Sequence, residues 1–108
     1  MFEDLYDTLR MLFSFTWPMA EAEITEVEIE SIPQTQRQGE LRLSVCYRFF
    51  VGDDGPFCGE SFWKPTFTVL ASMEDAKQVM ELKRTVPVRY RADDPSQNRL
   101  DRQAWRDL

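Results

Sequence analysis

The sequence predicts an α+β fold that is mostly β, a small and strongly curved antiparallel sheet or open barrel. Two observations lead to this prediction. Residues 41–67 alternate apolar and polar side chains on both sides of the turn sequence GDDGP, which is typical of a long β-hairpin. Amphipathic helical spacing occurs twice, at the N-terminus and between the third and fourth predicted strands.

The chain is predicted to form a single domain, because 108 residues support one hydrophobic core but not two. Within that domain we expect an N-terminal helix over residues 1–16, a β-rich core over residues 17–101 and a C-terminal tail over residues 102–108. A hydrophobic content of 43% is sufficient for a packed core, so a disordered chain is not expected.

The predicted N-terminal helix has more apolar surface than one packed face requires. One stripe at helical spacing contains Phe2, Leu5, Tyr6, Leu9, Leu12 and Phe13. The helix should end at Trp17, because the residue before a proline is disfavoured in the helical conformation. The additional apolar residues have two interpretations. The helix either covers the core, or it contacts a protein partner or a second copy of the chain through Leu9, Met11, Phe15 and Trp17.

The first predicted strand changes its alternation in the middle. Ala20, Ala22 and Ile24 occupy even positions, whereas Val27 and Ile29 occupy odd ones. A β-bulge near Thr25 and Glu26 would bring both sets onto one face of the sheet. Residues 33–39, rich in glutamine, should then form a polar loop.

The hairpin register can be predicted if Val51 pairs with Phe57. Counting from this pair places Arg48 opposite Glu60, where the two side chains would form a cross-strand ion pair. The same register separates Cys46 and Cys58 by more than the roughly 7 Å between Cα atoms that a disulfide spans. We therefore expect two free thiols.

After the hairpin, residues 72–84 are predicted to be a helix with Ser72 as its N-cap. Residues 85–92 follow as a strand, and its Pro87 suits an edge strand or a position whose N–H points to solvent. The tail has two interpretations. Leu100, Ala104, Trp105 and Leu108 fit a short closing helix, whereas residues 98–101 fit the end of a last strand.

The composition excludes several functions. The chain contains no histidine, so imidazole-dependent nucleophiles and the most common metal ligand are absent. The adjacent carboxylates Asp93 and Asp94 lack the spacing of a calcium loop, and a turn explains them. Asp53 and Asp54 are explained in the same way by the hairpin tip. We expect no enzyme activity, no catalytic residues, no metal and no cofactor.

The expected location is the cytoplasm. The first nine residues contain acidic but no basic side chains, unlike a signal peptide, and the longest apolar run is about half of a membrane span. The net charge of −6 disfavours duplex nucleic acid as a partner. Peripheral association with a membrane stays open.

The outer face of the hairpin is the second candidate surface. It combines basic and aromatic side chains, as single-strand binders do, in Arg42, Arg48, Phe50, Phe62 and Lys64. The alternative is that a helix covers Phe50 and Phe62. We expect a non-enzymatic binding or protein-interaction module. The alternative function is binding of a small ligand or single-stranded nucleic acid on this face.

Three segments of the chain resemble a bacterial family, the domain of unknown function 3592. They read AEITEVEI, VCYRFFVGDDGPFCGESF and VPVRYRADDPSQNRL, and the resemblance covers residues 17–100. Three places depart from the family pattern, and at one of them the family commonly has a serine near Asn98. Ala92 occupies a position where the family commonly has a proline. The family also commonly has a glycine just before the strand that contains VPVRY, and this chain has Lys83, Arg84 and Thr85 there. The resemblance implies a compact β-rich domain and supplies no catalytic residues.

Overall fold

The computed structural model describes residues 16–32, 40–65 and 70–108. Five strands form one antiparallel sheet in the order β3-β2-β1-β4-β5. The elements in chain order are β1 (Met19–Ser31), β2 (Leu41–Val51), β3 (Asp54–Trp63), α1 (Leu70–Lys83), β4 (Thr85–Arg91), β5 (Asp94–Leu100) and a short 3-10 helix (Arg102–Trp105).

The predicted α+β class is wrong. The described residues form a mostly β fold in which a nearly closed, barrel-like sheet accompanies a single α-helix, α1. The predicted N-terminal helix lies outside the described residues except for Thr16, and the predicted loop over residues 33–39 also lies outside them. No helix in the described part of the chain combines the length and apolarity that crossing a membrane requires.

Side chains join the two edge strands and so nearly close the barrel. The backbone N–H of Leu100 in β5 donates to the Ser61 hydroxyl of β3 at 3.2 Å. The amide Nδ2 of Asn98 donates to the Cys58 carbonyl at 3.3 Å, and its Oδ1 accepts from the Tyr47 hydroxyl at 2.6 Å. These contacts replace a backbone ladder, so both edges are occupied without regular strand pairing.

Gly59 permits this closure. It lies opposite Tyr47 in the β2–β3 ladder, directly beneath the hydrogen bond between Tyr47 and Asn98. A Cβ atom at this position would collide with the Asn98 amide oxygen and the Tyr47 hydroxyl. A side chain here would therefore displace the hydrogen bond that links Tyr47 of β2 to Asn98 of the edge strand β5.

The core fills the barrel interior and includes one face of α1. Strand residues alternate between this interior and the outer surface, as the period of two requires. Met73, Ala76 and Met80 of α1 pack into the same cluster. The buried strand and tail residues are Ala22, Val27, Leu43, Val45, Tyr47, Phe49, Val86, Val88, Leu100 and Ala104.

The bulge predicted in β1 is confirmed. Ile24 pairs with Tyr47 and Glu26 pairs with Cys46, which leaves Thr25 as the extra residue. Because of this insertion, Ala22 before the bulge and Val27 after it are both buried. The outward residues of β1 are consequently glutamates on both sides of the bulge.

The predicted hairpin register is wrong by two residues. Phe57 pairs with Phe49 instead of Val51, because Val51 pairs with Asp54 across a turn at residues 52–53. Gly52 in this turn has φ of 60°, a left-handed conformation that favours glycine. An error of two residues keeps every side chain on its predicted face, since the side-chain period of a strand is also two.

Helix α1 begins at Leu70, so Ser72 lies inside the helix and the predicted N-cap is wrong. The helix ends at Lys83, and Arg84 follows with φ of 60°. This conformation favours glycine at the end of a helix.

The end of the chain combines both interpretations of the tail. Residues 94–100 form β5, and residues 102–105 form the 3-10 helix. Strand β4 lies between β1 and β5, so the edge-strand interpretation of Pro87 is wrong. Pro87 lies level with the end of β5, where its carbonyl accepts from the Asp101 backbone N–H at 3.0 Å.

Candidate interaction face

The structure places the predicted ligand-face residues on one outer surface of the hairpin but at its two ends. Arg42, Phe62 and Lys64 lie at one end, and Arg48 and Phe50 lie towards the turn, because Phe62 is opposite Ser44. Arg42, Arg48 and Phe50 project outward from β2, Phe62 projects outward from β3, and Lys64 follows that strand. Phe50 is 55% exposed and Phe62 is 43% exposed, so no described element covers them. We call this surface, together with the outward glutamates of β1 and β3 on the same side of the sheet, the hairpin face.

Arg42 connects a cation, an aromatic ring and a carboxylate at one end of the hairpin face. Its guanidinium carbon lies 3.8 Å from the centre of the Phe62 ring, within cation–π range. Its Nε donates to the Glu30 carboxylate of β1 at 2.5 Å. The guanidinium is thus held over the ring by a charge-assisted hydrogen bond.

The other two basic residues of the face also pair with glutamates. Arg48 contacts Glu23 of β1 at 3.2 Å, so the predicted ion pair with Glu60 is wrong. The cause is the register, because Cys58 and not Glu60 lies opposite Arg48. Lys64 contacts Glu40 at 3.2 Å. Each basic residue predicted for this face therefore already has a carboxylate partner.

Three further glutamates lie at the centre of the hairpin face. Glu26 and Glu60 are both opposite Cys46, one on each neighbouring strand, and Glu28 is next along β1. A hydrogen bond with Glu28 and repulsion by its charge raise the pKa of Glu26 above its ordinary value, and Glu60 adds to the repulsion. No described cation forms an ion pair with these three carboxylates.

Sequence reasoning found the basic and aromatic members of this face but missed its central glutamates. Alternation alone assigns residues of β1 to an outer face, yet it does not say which strand lies beside them. The pairing of β1 with β2 brings Glu26 and Glu28 next to the hairpin. The repeated glutamates at 21, 23, 26, 28 and 30 were the available signal.

The two cysteines are free, as predicted. The observed register places Cys46 opposite Glu60 and Cys58 opposite Arg48, so the two thiols are diagonal neighbours on the ladder. Burial raises the pKa of the Cys46 thiol, and the hydrogen bond to Glu60 raises it further. A thiol with a raised pKa is a poor nucleophile, so the position of Cys46 does not favour redox chemistry.

The N-terminal candidate surface falls almost wholly outside the described part of the chain. Leu9, Met11 and Phe15 lie outside the described residues, whereas Trp17 is half-buried. The Trp17 carbonyl accepts from Arg89 Nη1 at 2.8 Å, which fixes the backbone before β1 to the neighbouring strand. The structure therefore links Trp17 to β4 through its backbone.

The adjacent carboxylates near the end of the chain form a turn. Asp93 pairs with Arg91 at 2.6 Å, and Asp94 accepts from the Ser96 hydroxyl at 2.5 Å. The Ser96 hydroxyl and backbone N–H, together with Gln97, lower the pKa of Asp94 despite a partly opposing effect of burial. Asp93 lies in the turn between β4 and β5, and Asp53 lies in the turn between β2 and β3.

No protein-family model matches the chain, and the searches find neither a curated protein nor a solved structure that is similar to it. The resemblance to the domain of unknown function 3592 stays a prediction from the quoted segments. The proposed function therefore depends on the residues of the hairpin face.

Proposed function

We propose that this chain is a non-enzymatic binding module that contacts a protein partner through the hairpin face. The observation that carries the proposal is the exposure of Phe50 and Phe62, 55% and 43%, on one outer surface. Exposed aromatic side chains are common anchors of protein interfaces. Covering them removes apolar area from water, which contributes a favourable free energy of about 25 cal/mol per Å².

The charges of the face favour a protein over single-stranded nucleic acid. Nucleic-acid binders offer basic groups to phosphates beside stacking rings. Here Arg42, Arg48 and Lys64 already contact carboxylates. A phosphate would have to displace those carboxylates and approach Glu26, Glu28 and Glu60 as well. The negative electrostatic potential of the hairpin face therefore disfavours binding of a polyanion such as nucleic acid.

The same charges suggest the chemistry of the partner. Glu26 shares a hydrogen bond with Glu28, and the nearby negative charges of Glu28 and Glu60 repel its own; together they raise the pKa of Glu26. A lysine or arginine placed between these glutamates would relieve that repulsion, while apolar side chains beside it would cover Phe62 and Phe50. The proposed partner therefore presents a basic and apolar segment.

The proposal is tested with a short synthetic peptide rich in lysine and phenylalanine. Binding is followed by amide chemical-shift changes in isotope-labelled full-length protein, and oligothymidylate serves as the nucleic-acid probe. We expect the peptide to shift residues of the hairpin face, and Phe62→Ala to weaken its binding about tenfold. The matched control is Leu82→Ala, because Leu82 is 81% exposed on α1, away from the hairpin.

Three results would overturn the proposal. The first is peptide binding that Phe62→Ala and Leu82→Ala affect equally. The second is equal binding of a peptide in which glutamate replaces lysine, since the charge argument requires a cation. The third is tight binding of oligothymidylate that Phe62→Ala abolishes, which would establish the nucleic-acid alternative instead.

A further inference from the structure

A second surface of the molecule has the opposite charge. A cavity of about 480 Å³ opens where β4 meets the segment after β5. We call it the arginine pocket, and its lining consists of Arg89, Asp101, Arg102, Gln103, Trp105 and Arg106. We propose that the arginine pocket binds the phosphate group of a small organic phosphate. This inference is independent of the partner proposed for the hairpin face.

The inner wall of the arginine pocket is held in a fixed geometry. Arg89 Nε donates to Asp101 Oδ1 at 2.6 Å, and Arg89 Nη1 donates to the Trp17 carbonyl. Asp101 is only 6% exposed, and its Oδ2 accepts from the Gln103 backbone N–H at 3.1 Å. The one carboxylate of the lining is thus directed to Arg89 and to the start of the 3-10 helix.

The opposite wall is anchored through its backbone. Lys83 Nζ at the end of α1 donates to the carbonyls of Ala104 at 3.2 Å and Arg106 at 2.7 Å. This contact ties the last residues to the helix without using the Arg106 side chain. Within the described residues no carboxylate forms an ion pair with the Arg106 guanidinium. Arg106 can therefore contact a ligand without disrupting the fold.

The balance of charge identifies the ligand as an anion. Three guanidinium groups and one carboxylate line the pocket, in a chain whose net charge is −6. Arg99 lies opposite Arg89 in the β4–β5 ladder and adds to this positive region. Burial and the neighbouring charges of Arg89 and Arg102 lower the pKa of Arg99, despite the favourable charge of Asp101.

A phosphate monoester fits this site better than a carboxylate. A phosphate monoester offers three terminal oxygens that can accept hydrogen bonds from guanidinium groups on both walls of the pocket, whereas a carboxylate offers two. Guanidinium groups bind phosphate oxygens through paired hydrogen bonds with defined geometry. The cavity volume lies within the range of about 300–1,000 Å³ for small-molecule sites. Half-buried Trp105 offers a flat wall for the organic part of the ligand.

The test compares phenyl phosphate with benzoate at constant ionic strength, using the full chain. The two probes share a ring and differ in charge. We expect phenyl phosphate to shift the Trp105 indole N–H and the Gln103 amide in the nuclear magnetic resonance spectrum. We expect Arg106→Gln to weaken this binding about tenfold, the loss of one charge-assisted contact.

The matched control is Arg91→Gln, since Arg91 pairs with Asp93 outside the pocket. A second variant, Phe62→Ala, should leave phosphate binding unchanged, which separates this inference from the proposed function. Equal affinity for benzoate would overturn the assignment of a phosphate. Equal effects of Arg106→Gln and Arg91→Gln, or shifts that sodium chloride reproduces, would overturn the site.

Discussion

The inside and the outside of the β2–β3 hairpin are built from alternate residues of the same strands, yet they have different roles. Inside, Phe49 is 1% exposed and its ring centre lies 5.7 Å from that of Phe57 and 5.8 Å from that of Tyr90. Outside, its neighbour Phe50 is 55% exposed. One step along the chain therefore separates a residue that stabilises the fold from one that is available to a partner.

The largest expected change in stability comes from comparing Phe49→Ala with Phe50→Ala. Phe49→Ala removes a ring from the aromatic cluster and leaves a cavity, so we expect a loss of about 3–5 kcal/mol in the free energy of unfolding. Phe50→Ala should change it by less than about 0.5 kcal/mol, because the side chain is largely exposed. Urea unfolding of both variants measures the difference. Similar losses would show that the outer face contributes to stability as the inner face does.

The second prediction concerns a polar contact that is shielded from water. Burial raises the pKa of Asp101, but hydrogen bonds from Arg89 and Gln103 and the nearby guanidinium charges outweigh it, so the pKa is below its usual range. Asp101→Asn removes the charge from this contact with Arg89 and should cost about 2 kcal/mol at neutral pH. The urea midpoints of the two proteins at pH 7 measure this cost.

The pH dependence provides the control for Asp101. A carboxylate whose pKa is lower in the folded state stabilises the protein above its unfolded pKa of about 4. That contribution is lost as the pH falls through the folded pKa. The difference in stability between the original protein and Asp101→Asn should therefore shrink in acid. A difference that persists unchanged at pH 2 would contradict the assignment of the effect to ionised Asp101.

The third prediction concerns the stability contributed by the hydrogen bond between Tyr47 and Asn98, as distinct from the stability contributed by packing of the Tyr47 ring. Tyr47→Phe retains the buried ring but removes the hydroxyl that donates to Asn98. We expect a loss of about 1 kcal/mol, the usual net contribution of such a hydrogen bond. The measurement is again urea unfolding, with Tyr90→Phe as the matched control, because Tyr90 also packs against Phe49.

Alkaline pH tests the same residue in a second way. Burial raises the pKa of Tyr47, against smaller opposite effects of the Ser61 hydroxyl and the Arg99 charge. A raised folded pKa contributes stability that is complete below the unfolded value of about 10 and is lost as the pH rises through the folded pKa. The original protein should therefore lose more stability above pH 10 than Tyr47→Phe does. Equal losses would refute this role.

These comparisons also show which parts of the fold the sequence determines. Alternation assigned the faces of the hairpin, and the change of parity at Thr25 located the bulge, because both depend only on local periodicity. The hairpin register depends on the turn, and the turn at residues 52–53 is tighter than the sequence GDDGP indicated. The α+β class is wrong because the described residues form a mostly β fold with one α-helix, whereas the helix predicted over residues 1–16 lies almost wholly outside them.

The two candidate sites differ in how far the sequence could predict them. The rings and bases of the hairpin face follow from one hairpin, so alternation brought them together. Their glutamate partners come from β1, and strand order is not a local property. The arginine pocket combines a strand residue with a 3-10 turn. The only signal was the density of arginine between residues 89 and 106.

The smallest expected effect lies on the outside of the hairpin. Arg42→Ala removes both the ion pair with Glu30 and the stacking on Phe62, yet partly exposed ion pairs contribute about 0–1 kcal/mol. We therefore expect a loss of about 0.5 kcal/mol in the free energy of unfolding. Arg48→Ala is the matched control, since Arg48 has the ion pair with Glu23 but does not stack on a ring of any described residue.

Salt distinguishes the two contacts of Arg42. Added sodium chloride screens the ion pair, whereas stacking of the guanidinium on Phe62 depends much less on ionic strength. The loss of stability caused by Arg48→Ala should therefore disappear at about 1 M salt, while part of the loss caused by Arg42→Ala should persist. A double-mutant cycle with Phe62→Ala measures the persisting part. If that coupling is zero, Arg42 does not hold the Phe62 ring, and the aromatic anchor of the hairpin face is free to reorient when a partner binds.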